Sequence, residues 1–202
     1  MNIRIAFLVG LLGLTTHAAA AEELPFLKSQ SEYSATRIIE TNEGDFEQKV
    51  NWTEDKVRTE TSISGVLLLN IVREDLGVMW VANPVLGRCL EQPVETANEM
   101  TQLGGDYQAD DVVYEKIGEE TVDGQATTKY EVTAQDSELG PHKAYMWTTP
   151  ENILVRMEME TVADGAALSF TMRLVDLKLG PQDDALFAEP GDCVSVDELG
   201  QP

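Results

Sequence analysis

The chain is poor in the side chains that most enzyme chemistry needs. Of 202 residues only 2 are cysteine and 2 are histidine, and Lys+Arg number 14 against 36 Asp+Glu. His17 falls in the first 21 residues, so His142 is the single imidazole of the remainder. A Ser-His-Asp or Cys-His site would have to be built around that residue alone, and Gly140-Pro141 beside it reads as a turn that leaves it exposed. There is no G-x-S-x-G elbow, no P-loop, no G-x-G-x-x-G after a strand, and no His/Cys cluster at zinc spacing. Accidental carboxylate pairs are guaranteed by so many acids, so no chosen pair points to glycoside chemistry. Basic residues are scarce enough to exclude a phosphate backbone: at a net charge of −22 the chain has little with which to replace condensed counterions. Nucleic acid and anionic membrane surfaces are therefore not expected partners, no cofactor is implied, and the chain is not expected to be an enzyme.

Long apolar runs are also scarce. Ile5 to Leu14 is one, preceded by Arg4 and followed by Thr15 to Ala21, which end in small residues. A basic tip, a short hydrophobic stretch and a small-residue cleavage site spell a secretory signal peptide over residues 1–21, leaving one domain over 22–202. The run is too short to span a bilayer, and Glu22 and Glu23 follow at once, so no integral membrane anchor is expected. Export to an oxidising compartment would give Cys89 and Cys193 a simple use as a disulfide, with two buried thiols as the alternative. Closing a loop of about 100 residues is worth about 4 to 5 kcal/mol in the chain-entropy model. It would also pin the C-terminal tail to mid-chain.

What the chain does have is a period of two. Val57, Thr59, Thr61 and Ile63 alternate with Arg58, Glu60 and Ser62; Val155, Met157, Met159 and Thr161 alternate with Arg156, Glu158 and Glu160. Residues 33–40, 46–52, 66–73, 78–83, 88–91, 112–120, 127–134 and 143–149 read similarly, separated by Glu43-Gly44, Ser64-Gly65, Asp123-Gly124 and Asp164-Gly165. These make an antiparallel meander of about ten or eleven strands. In the last, Leu168, Phe170, Met172 and Leu174 share one parity and Val175, Leu177 and Leu179 the other. Either a β-bulge or a strand end buried on both faces produces that slip.

Helical signal is sparse. Residues 93–103 and 22–32 are candidate helices, and Asp183 to Phe187 reads as one turn with acids at its start. Residues 101–111 read as a loop; Asp106, Asp110 and Asp111 there lack EF-hand spacing. Asn51-Trp52-Thr53 matches a glycosylation sequon but lies inside an expected strand.

The remaining feature is the apolar face. Met146, Met157, Met159 and Met172 fall on three successive strands, and thioethers adapt to irregular apolar ligands. With Val155, Leu168 and Phe170, and with Trp80 and Trp147, they either line an open groove for a lipid or fill a closed core. Periodicity does not separate the two.

A resemblance bears on that choice. Tyr33-Ser34-Ala35-Thr36-Arg37, Lys56-Val57-Arg58-Thr59-Glu60, and Ile71-Val72-Arg73-Glu74-Asp75 leading to Trp80 and Asn83-Pro84 are followed by Gly118-Glu119-Glu120-Thr121-Val122-Asp123-Gly124. Thr128-Lys129-Tyr130-Glu131-Val132, Tyr145-Met146-Trp147, Leu186-Phe187 and Pro190 complete the series. In order and spacing these segments resemble the LolA/LolB-like superfamily of periplasmic proteins, and within it outer-membrane lipoprotein-sorting-like proteins. The resemblance implies an incomplete antiparallel β-barrel wrapped around a few short helices, with a concave apolar side that takes acyl chains. It implies a carrier in lipid or lipoprotein trafficking, or a sensor module binding a protein partner. The acidity favours a basic partner.

Overall fold

The alternation does become strands. The computed structural model describes residues 28–42, 44–63, 65–94, 112–136, 140–163 and 166–199. The expected signal peptide, the 101–111 loop with its aspartates, the body of the 93–103 helix and the Asp164-Gly165 turn lie outside these residues. Eleven strands follow the expected positions: β1 (Tyr33–Thr41), β2 (Gly44–Trp52), β3 (Lys56–Ile63), β4 (Val66–Arg73), β5 (Val78–Asn83), β6 (Arg88–Pro93), β7 (Val112–Val122), β8 (Gln125–Asp136), β9 (Gly140–Thr148), β10 (Leu154–Ala163) and β11 (Ala166–Leu179). A twelfth, β12 (Val194–Ser195), is too short for periodicity to reveal.

All twelve form one sheet in the order β12-β6-β5-β4-β3-β2-β1-β11-β10-β9-β8-β7. Two antiparallel meanders, β1 to β6 and β7 to β11, are joined where β1 pairs with β11, and β12 lies parallel to β6. The result is an open curved sheet, an incomplete β-barrel with few helices. Among the described residues these are 3₁₀ turns at Glu74–Leu76 and Asp184–Phe187 and one α-helical turn at Val196–Leu199. No helix among the described residues is long and apolar enough to cross a membrane.

The parity slip in the last strand is a bulge. Ser34 faces Lys178 but Thr36 faces Val175, so Asp176 and Leu177 together oppose Ala35. Asp176 takes φ 54°, the left-handed conformation that turns the strand and swaps its faces. Asp123 and Gly124, at φ 49° and 82°, close β7 onto β8 in a two-residue turn, as an Asp-Gly pair does.

Two expectations are corrected. The helix over 22–32 does not reach the described residues 28–32: the Ser29 hydroxyl donates to the Ser31 carbonyl and accepts the Ser31 N–H, a local pairing that competes with helix. His142 is not in a turn. The β8–β9 hairpin runs to Asp136↔Gly140, which places His142 opposite Ala134 within β9. Pro141 is tolerated there because β10 pairs β9 only as far as Lys143, leaving no ladder on that side to break.

Candidate functional site

Cross-strand register puts the predicted apolar residues into rows. Ile39, Met172, Met157, Met146 and Tyr130 stand side by side across β1, β11, β10, β9 and β8. The next row toward the strand ends is Thr41, Phe170, Met159, Ala144 and Val132, continued on β7 by Tyr114. Leu168 begins the row after that, opposite Thr161. Val155, two residues before Met157 at a bulge in β10, is buried in the same cluster. Burial changes along this face. Met146, Met157 and Met172 are sealed, Met159, Phe170 and Tyr114 are half-buried, and Leu168 is 37% exposed. The face thus runs from a sealed row to a mixed one, in which Ala144 and Val132 stay buried while Met159, Phe170 and Tyr114 are partly exposed.

Trp80 and Trp147 stand on the other face of the sheet, although Trp147 is sealed within the same buried cluster. Trp147 follows Met146 in an extended strand and stands on the opposite face, where its Nε1 donates to Glu120 Oε2 at 3.0 Å. Lys129 Nζ and Arg156 Cζ lie 4.5 and 5.0 Å from its ring centre, closing it over with cation–π contacts. Trp80 faces the same way as Ile71 and donates to Glu91 Oε2 at 2.9 Å. It belongs to a second cluster with Leu69, Ala82, Cys89 and Phe187.

Sequence periodicity does not reveal a polar band on the methionine side. Arg37, wholly buried, occupies an inward position of β1 between Ala35 and Ile39, and its row continues through Gln48 and Thr61. Its Nη1 donates to Gln48 Oε1 at 3.5 Å, and Gln48 Nε2 donates to Thr61 Oγ1 at 3.1 Å. A charged residue at an apolar parity position is the signal that could have found it. Phe46, Tyr114 and Tyr130 also join this side without having been expected there, Tyr114 and Tyr130 meeting edge to face at 5.8 Å.

The C-terminal tail seals the Trp80 face. Phe187 inserts fully buried among Leu69, Ile71 and Trp80, and the Cys89–Cys193 disulfide ties the tail to β6. Asp183 caps the turn by accepting the Ala185 N–H at 3.0 Å. Lys56 Nζ lies 2.8 Å from Asp184, an ion pair that holds the Lys56 ammonium above, and the Asp184 carboxyl below, its ordinary pKa. Asp75 is likewise lowered by the Arg73 guanidinium, Glu120 by the Trp147 N–H and then Lys129, and Glu131 by Lys143. These carboxyls are all moved in the direction that keeps them ionised. Among the described residues no cluster of His, Cys, Asp and Glu is placed to hold a metal ion.

No protein-family model and no curated protein matches the chain. Solved structures do. An uncharacterized conserved protein from Thermus thermophilus is similar at a TM-score of 0.56 and 14% identity, over 83% of this chain and 90% of that one. MucB is similar at 0.52 and 13% identity over 81% of this chain, which spans only 59% of MucB's length; in the Pseudomonas aeruginosa MucA/MucB complex the score is 0.50. A LolA superfamily protein from Nitrosomonas europaea is matched at 0.39 and 12% identity, over 79% of this chain and 91% of that one. At such identities the likeness concerns architecture alone, and the architecture of this chain is shared with the Thermus protein and with MucB.

Proposed function

We propose that this chain is a non-enzymatic periplasmic binding or carrier protein that holds a lipid acyl chain against its methionine-rich face. The observation that carries this reading is the gradient from sealed Met146, Met157 and Met172 to half-buried Met159 and Phe170 and exposed Leu168. An alkyl chain laid along the partly exposed residues extends a core that already exists. Burying apolar surface yields roughly 25 cal/mol per Å², so one acyl chain gains several kcal/mol without a specific polar contact. Flexible thioethers repack around chains of different length. The resemblance of the sequence to LolA/LolB-like proteins and the closed Cys89–Cys193 bridge support a periplasmic role in lipid or lipoprotein trafficking.

The experiment is extraction of the protein purified from the periplasm, followed by mass spectrometry of the extract. Stoichiometric fatty acyl material supports the reading. A clean extract together with no uptake of a fluorescent fatty-acid probe contradicts it. That second result would favour a protein-interaction module, a reading supported by the shared architecture with MucB, which has been crystallised in complex with MucA.

A further inference from the structure

The tail is fastened to the sheet in two stages of very different strength. Residues 180–187 are held at five of their eight positions: the Gly180 N–H donates to the Glu32 carbonyl at 3.0 Å and the Gln182 N–H to Glu32 Oε2 at 2.7 Å. Asn51 Nδ2 donates to Gln182 Oε1 at 2.9 Å, and Lys56 pairs with Asp184. Arg58 Nη1 and Arg73 Nη1 then donate to the carbonyls of Leu186 and Phe187 at 2.9 and 3.1 Å, while Phe187 fills the pocket between them. These contacts come from β2, β3 and β4 and from the chain before β1.

Past Phe187 the fastening changes. Val194 and Ser195 pair with Leu90 and Glu91 over two residues only, Val194 is 41% exposed, and the helical turn at Val196–Leu199 packs on β6 and β12. One turn of helix does not persist alone in water, and two ladder positions add little. The covalent tie of this piece to β6 is the bond from Cys193 to Cys89, with Cys193 also packed against the Trp80 cluster. Without β12, β6 is the last strand of the sheet among the described residues, and Leu90 and Glu91 lose the pairing it gives them.

We propose that residues 188–199 are a disulfide-locked cap on the β6 edge, which a dithiol reductant releases while residues 180–187 and the rest of the sheet stay in place. Cys89 is buried and Cys193 half-buried, so the attacking thiolate reaches the Cys193 sulfur. A mixed disulfide forms there and the Cys89 thiolate leaves and is protonated. The second thiol of the reductant then closes its own disulfide and expels the Cys193 thiolate, which takes up a proton; two electrons and two protons have passed to the protein. The edge strand is exposed by that exchange, and reoxidation covers it again. This goes beyond the acyl-carrier reading and does not depend on it.

Amide hydrogen exchange of the full chain, with and without dithiothreitol, tests the cap. The expected result is at least tenfold faster exchange over 194–199 on reduction, with protection of β3, β4 and residues 180–187 retained. Cys193→Ser should show the same pattern without reductant. Unchanged exchange over 194–199 would overturn the proposal, because the cap would then hold without its lock. Loss of protection throughout the sheet, or failure of Cys193→Ser to fold, would overturn it too, since the bond would then staple the whole fold.

Discussion

Met146 and Trp147 are neighbours in β9 and both are buried, yet they serve opposite faces of the sheet. Met146 stands beside Met157 in the methionine row, while Trp147 is closed over by Lys129 and Arg156 and bonded to Glu120. That division separates the surface assigned to ligand from the surface that stabilises the strands.

Trp147→Phe therefore leaves acyl-probe uptake unchanged while lowering stability. It removes one charge-assisted hydrogen bond and weakens the cation–π contacts, a loss of about 1 to 2 kcal/mol. Urea unfolding compared with probe titration reads both.

On the other face the effect depends on the row. Met172→Ala empties a sealed position and costs about 2 to 5 kcal/mol of stability. Phe170→Ala, at a half-buried position, costs less, about 1 to 2 kcal/mol, and reduces uptake more than Met172→Ala does. Denaturation midpoints and probe affinities measured on the two variants separate a core from a lining.

At the bulge, backbone conformation decides the outcome. Asp176 holds φ 54°, which a β-branched side chain resists. Asp176→Val lowers stability by about 1 to 2 kcal/mol, whereas Asp176→Gly stays within about 0.5 kcal/mol of the parent. Equal destabilisation by both would mean that the side chain matters there, not the backbone conformation.

The Lys56–Asp184 pair and the Arg73–Asp75 pair beneath the tail set a pH window. Asp184 and Asp75 have depressed pKa values, so their contribution is present above the ordinary aspartate value near 4 and is lost as pH falls through the lowered ones. Lys56 is raised, so its share is present below the ordinary lysine value and fades only as pH rises through the raised one. Proteolysis of the tail at Leu186-Phe187 should be flat between about pH 5 and 9 and rise below about pH 4. Asp184→Asn should flatten part of the acid rise.

Much of this architecture is legible in the chain because half-buried strands alternate, as β3 and β10 do. The slip from Leu174 to Val175 announces the bulge, and the expectation of export foretells the disulfide. The faces of Trp80 and Trp147 are not legible. Val78 to Ala82 and Tyr145 to Trp147 are apolar on consecutive residues because both faces of β5 and of this part of β9 are covered, and a doubly covered strand has no period to read. Gly140-Pro141 hides the start of β9, and Arg37 shows only as a charge at an apolar parity position, whose meaning appears once β1 lies between β2 and β11.

The proposed acyl binding rests on the partly exposed residues Phe170 and Met159, and titration of a fluorescent fatty acid into the parent, Phe170→Asp and Trp147→Phe proteins addresses it head-on. Saturable uptake is expected for the parent and for Trp147→Phe, with a loss of at least tenfold in affinity for Phe170→Asp while its circular dichroism stays unchanged. Equal uptake by a folded Phe170→Asp protein, or none by the parent, would contradict an acyl chain held on this face.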